Sequence, residues 1–164
     1  MAWGKVGTTT LGSTLDDIDI TLSTSTKFLV HLYHGLQTGD VNAWLQYDGV
    51  DTGTAYAVRY NTDGAGEATS VSQSNGVGIL YGNSSSTSIT QFGITYICNI
   101  AGEEKLSMSW GMNQGAAGAG TAPDRRESVG KHAQTSTTIV SVDVHNTGAG
   151  GLLTDSNGSA LGTD

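Results

Sequence analysis

Residues 91–110 read "QFGITYICNIAGEEKLSMSW", and their pattern decides the fold. Phe92, Ile94, Tyr96, Cys98 and Ile100 occupy every second position. Leu106, Met108 and Trp110 do the same, against Lys105, Ser107 and Ser109 on the other side. A period of two is that of a β-strand, whose successive side chains point to opposite faces. "IAGEE" between the runs is a glycine-containing turn. An apolar and a polar face on each strand predict that the apolar side is buried, with Trp110 in the core and Cys98 a small core residue.

The same period recurs on either side. In "DIDITL", Ile18, Ile20 and Leu22 share a face, and in "TIVSVDVHN", Val140, Val142 and Val144 do. "AYAVRY" sets Tyr56, Val58 and Tyr60 together with Arg59 opposite. "KFLVHLYH" is apolar on both faces, which predicts a central strand or one covered on both sides. Clusters such as "QTGD", "NTDGAGE", "QSNGVG", "YGNSSS" and "DSNGSALG" read as turns between strands. No helix longer than a turn or two and no 20–50-residue repeat is legible. Without crossover helices a parallel sheet is disfavoured. The expected architecture is all-β: an antiparallel β-sandwich, jelly-roll-like, forming a single domain over residues 1–164, with a related barrel as the neighbouring alternative. A long Gly/Ala-rich loop is expected at about 112–130, joining the Lys105–Trp110 strand to the Thr137–His145 strand.

Composition agrees. The 164 residues suffice for one domain with its own core. Only 13% are charged, and Gly, Thr and Ser, poor in helices but frequent in strands and turns, dominate the rest. The net charge of −8 argues against nucleic acid as a partner, because phosphate contact needs a positive field. Cys98 is the only cysteine, so no intrachain disulfide forms. "MAWGKVGTTT" carries no secretory pattern, and no apolar run approaches the roughly 20 residues that span a bilayer. Synthesis in a cytoplasm, with no membrane partner, is the expectation.

Several constellations raise chemistry. In "GAAGAGTAPDRRESVGKH" (residues 115–132) the glycine run matches neither nucleotide-loop spacing, and no helix follows to aim N–H groups at a phosphate. The basic group Arg125, Arg126 and Lys131 is interleaved with Asp124 and Glu127. It reads as local or inter-subunit ion pairs, or as arginines reaching acidic groups on a partner chain. Asn61, Asp63 and Glu67, or Asp48 and Asp51, are calcium-type ligands by chemistry but lack the required spacing, so no metal or other cofactor is expected. His31 and His34, three apart on a strand, point to opposite faces and cannot chelate together. No nucleophile elbow or carboxylate pair marks an enzyme. Of the tryptophans, Trp44 is the better exposed candidate for a partner or a sugar, and Trp3 anchors the N-terminal segment.

"WGKVG", "AYAVRYNTDGAG", "NIAGEEKL", "GAGTAPDRRESVGKHAQTSTTIVSVDVHNTGAGGL" and the terminal "GSALGTD" together resemble a family of small virion proteins of tailed phages, along nearly the whole chain. That family pattern has an aromatic after "GK", where this chain has His132, and a regular apolar strand at its end, where this chain has "LLTDSNGSALG". The resemblance implies a β-sandwich structural protein of the virion, without catalytic residues. A separate small chain of this kind implies a capsid decoration, or cement, protein. Such proteins are often trimers that clamp neighbouring subunits of the major capsid protein. The alternative is a tail or fibre-associated module binding host-surface glycans, and a hydrolase acting on such glycans is the weakest of the three.

Overall fold

The computed structural model describes residues 2–50, 54–79 and 89–164. Among these residues are β1 (Gly4–Thr10), β2 (Asp17–Thr21), β3 (Phe28–Thr38), β4 (Ala43–Tyr47), β5 (Tyr56–Thr62) and β6 (Ala68–Gln73). They are followed by β7 (Val77–Gly78), β8 (Ile89–Cys98), β9 (Lys105–Asn113), β10 (Asp124–His132), β11 (Ser141–Asn146), β12 (Gly151–Leu152) and β13 (Asn157–Thr163). The larger sheet runs β1-β13-β3-β8-β9-β10-β5-β6, with β12 also pairing β3. The smaller runs β2-β11-β4-β7. Every pairing is antiparallel. The fold is an all-β sandwich, as its alternation predicts, with nine strands in one sheet and four in the other among the described residues.

The core lies between the sheets. The smaller sheet buries Ile18, Ile20, Leu45, Val142 and Val144 completely. The larger meets them with Leu29, Tyr33, Val58, Ile97 and Ala160, and all join a single cluster. The expected faces of "DIDITL" and "AYAVRY" are the ones that point inward. In "TIVSVDVHN" Val142 and Val144 are core, while Val140 precedes β11 and is exposed. β3 sits between β13 and β8, the central position that its two apolar faces predict.

Small residues set how closely the sheets approach. On β13 the inward positions are Gly158, Ala160 and Gly162. A Cβ at Gly158 would lie 2.5 Å from Ile20 Cδ1. "DSNGSALG", expected as a turn cluster, is therefore mostly a strand, wedged between β1 and β3 where glycine leaves room for isoleucine. The expected loop at 112–130 is also corrected. β9 extends to Asn113 and β10 begins at Asp124, so only residues 114–123 connect them. The connection leads to a paired strand rather than to the Thr137–His145 region. The expected "YGNSSS" turn lies outside the described residues.

Candidate interaction face

β9 is turned opposite to the expectation. Lys105, Ser107, Ser109 and Asn113 face inward and are buried, while Leu106, Met108, Trp110 and Met112 face outward and are exposed. Lys105 is only 1% exposed, whereas Leu106 is 56% exposed. Most of the inward polar groups find partners in the turn or across strands, and Asn113 Nδ2 has none among the described residues. Lys105 Nζ donates to the carbonyls of Ile100 at 2.7 Å and Glu103 at 2.6 Å, closing the β8–β9 turn. The Thr95 and Ser109 hydroxyls share a 2.9 Å hydrogen bond, and Ser128 donates to the Gly78 carbonyl at 2.7 Å. The Tyr33 hydroxyl donates to Gln91 Oε1 at 2.7 Å, and Gln91 passes the network on to Gln37. Polar groups satisfied in this way can be buried at little net cost, which frees the apolar set to face out. Trp110 is thus not core, and Cys98 is half-buried on the outer side.

The outward side chains form one surface. Across the β8–β9 register Phe92 lies opposite Met112, Ile94 opposite Trp110, Tyr96 opposite Met108 and Cys98 opposite Leu106. Val129 of β10 is opposite Met108, and Phe28 of β3 is opposite Cys98. Tyr96 and Trp110 meet edge to face, with ring centroids 6.1 Å apart. Trp3 lies beside Phe28, Tyr96 and Leu106 around a depression of about 450 Å³. A second depression of about 250 Å³ lies among Arg59, Glu67, Met108, Trp110 and Glu127.

The sequence-predicted residues divide between two places. Arg125 and Lys131 are exposed on the outer face of β10. Arg125 pairs with Glu127 at 3.4 Å and Lys131 with Glu104 at 2.8 Å. Arg126, one residue on, points inward and is 2% exposed. Its guanidinium carbon lies 4.0 Å from the Tyr60 ring centroid and 5.6 Å from that of Trp44. Gly78 lets it pass: a Cβ there would lie 3.0 Å from Arg126 Nη1. Trp44 is half-buried and donates its indole N–H to Thr147 Oγ1 at 3.0 Å. Arg126 and Trp44 are therefore brought together in packing at the edge of the smaller sheet, and Arg126 is not a surface contact.

His132 stacks on Tyr56 at 4.7 Å and meets Tyr47 edge-on at 5.8 Å. Burial lowers its pKa, and complete burial holds His31 down to about 3. Neither His31 ring nitrogen has a hydrogen-bond partner. Burial raises the Asp143 carboxyl, against hydrogen bonds from Ser141 and the Gly49 N–H. It also raises the Tyr33 hydroxyl.

Of the calcium-type residues, Glu67 pairs with Arg59, Asp63 accepts the Arg125 N–H at 2.7 Å, and Asn61 accepts the Gly64 N–H at 3.0 Å. Asp48 accepts the N–H groups of Val140 and Ser141, and Asp51 lies outside the described residues. Among the described residues no three His, Cys, Asp or Glu side chains gather as a metal site. No protein-family model, curated protein or solved structure matches this chain.

The sequence shows which residues share the outer face but assigns them to the core. Met112 and Val129 carry no separate signal. The available clue was the small polar set Thr95, Ser107, Ser109 and Ser128, whose hydroxyls are short enough to pair within a sheet.

Proposed function

We propose that this chain is a structural protein of a tailed-phage virion, a capsid decoration protein that binds and stabilises the shell of major capsid protein. It is made in the host cytoplasm and works as a homo-oligomer, a trimer by the resemblance. The observation that carries the reading is the exposed apolar face of β8, β9 and β10. Contiguous apolar surface of this extent marks an interaction site rather than an ordinary monomer surface. A rigid sandwich that presents such a face suits a protein whose work is contact. Shells lacking the chain are expected to assemble and then rupture more readily on heating and osmotic shock. Resistance equal to that of complete particles would refute the role.

One observation favours the second reading. Trp110 stands exposed beside Arg59, Glu67 and Glu127, an aromatic plate next to hydrogen-bonding groups, as a sugar site requires. Under that reading the chain is a tail or fibre-associated glycan-binding module. Its copies would be few and confined to the tail, and the purified protein would retain host polysaccharides on a glycan array. A blank array and copies spread over the shell would exclude it.

A further inference from the structure

We infer that the outer face of β8–β9–β10 is covered by a second copy of this chain, sheet against sheet. This rests on the reading of that face as an interaction surface and names its occupant: the same face on both copies pairs two chains, in place of the trimer that the resemblance implies, and leaves the other surfaces to meet the shell.

The face is large enough for such a contact. Side chains including Trp3, Tyr96, Leu106, Met108 and Trp110 are each about half exposed. Together with their neighbours they present on the order of 1,000 Å² of apolar surface, above the few hundred Å² usual for a monomer's largest patch. A standard interface takes about 800 Å² from each partner. Its shape is also suited. A pleated, apolar sheet face packs well on another sheet about 10 Å away, and a second copy supplies one.

Charge favours a second copy as the partner. The chain carries −8 with only seven Lys and Arg. Lys105 and Arg126 are buried. Of the five exposed cations, Arg59, Arg125 and Lys131 stand at the rim of this face, each paired with a glutamate. These three pairs add no net charge to the rim, although the chain as a whole is acidic. Two identical acidic molecules repel least where apolar, ion-paired faces of this kind meet. A basic partner would instead be drawn to the acidic remainder.

Sedimentation equilibrium of the purified full chain at high micromolar concentration tests this. The expected mass is a multiple of 16.9 kDa. Met108→Glu and Val129→Glu place an unpaired carboxylate in the contact and should weaken association by about a hundred-fold or more. Val140→Glu, on an exposed residue beside the smaller sheet, should leave it unchanged. Circular dichroism confirms that each variant is folded. A single-chain mass for the wild type overturns the inference, as does a wild-type mass in both outer-face variants. A wild-type monomer that binds anionic vesicles or polysaccharide gives the face to another occupant and also overturns it. A chain that is monomeric yet decorates shells refutes this inference alone. An oligomer whose loss leaves shells equally robust refutes the decoration role alone.

Discussion

At the scale of single residues, Arg125 and Arg126 show how one step along a strand changes a side chain's task. Arg125→Ala removes an exposed ion pair and should change stability by no more than about 0.5 kcal/mol in urea unfolding. Arg126→Ala removes a buried cation packed on Tyr60 and beside Trp44 and should destabilise by about 2–3 kcal/mol. Equal effects of the two would contradict the assigned faces. His31 contributes to acid sensitivity. Its pKa falls from 6.5 to about 3 on folding because burial disfavours the charged ring. The unfolded chain therefore binds the extra proton between those values, and stability is lost as pH falls through that window. The slope reaches about 1.4 kcal/mol per pH unit for one proton. His132 acts in the same direction, and Asp143, raised by burial, acts in the opposite one. His31→Leu should flatten the dependence of the urea midpoint on pH between neutral and acidic buffer, and an unchanged slope would remove His31 from the account.

At the scale of elements, β10 carries two kinds of information in alternate positions. Gly130 faces inward, and a Cβ there would lie 2.8 Å from Val77 Cγ2. Gly130→Ala should therefore destabilise the fold by about 1–3 kcal/mol through overpacking. Val129→Glu, pointing outward, should leave folding intact and act on association. The expectation reverses if β10 is turned the other way. This strand was not legible in the sequence. "DRRESVGKH" has charged residues on both faces and one large aliphatic, so no period of two in hydrophobicity marks it. β13 was hidden for a different reason. Its glycines read as turn residues but serve close packing, Gly158 under Ile18 and Ile20 and Gly162 against Thr26. By contrast β2, β3, β5 and β11 were legible because each carries a regular apolar face or two. β8 and β9 were legible as strands but not in orientation. Periodicity groups residues by face, while the choice of inward face depends on hydrogen bonds such as Thr95–Ser109 and Lys105–Ile100. The Thr95–Ser109 partners are set by register and Lys105–Ile100 by the turn geometry, neither of which spacing alone reveals.

At the scale of the whole molecule, the accessible surface is 7657 Å². A folded monomer of this mass has about 7,700 Å² by size scaling, so the exposed apolar face does not come from a loosely packed chain. It is a property of a compact sandwich whose larger sheet has apolar residues outward over β8 and β9. Net charge then shapes assembly. Each copy carries −8, so raising ionic strength from about 0.01 to about 0.15 M screens repulsion between copies and should strengthen association. Light scattering across that range checks the sign, and weaker association at higher salt would point to ion pairs, not apolar burial, as the source of contact. The measurement that most directly tests the central claim locates the contact by cross-linking. In a Cys98→Ser background, a single cysteine at Val129 on the outer face is compared with one at Val140 beside the smaller sheet, using a short bis-maleimide. Covalent pairs of chains are expected from Val129→Cys and single chains from Val140→Cys; pairs from Val140→Cys with none from Val129→Cys would place the contact on the other side of the molecule.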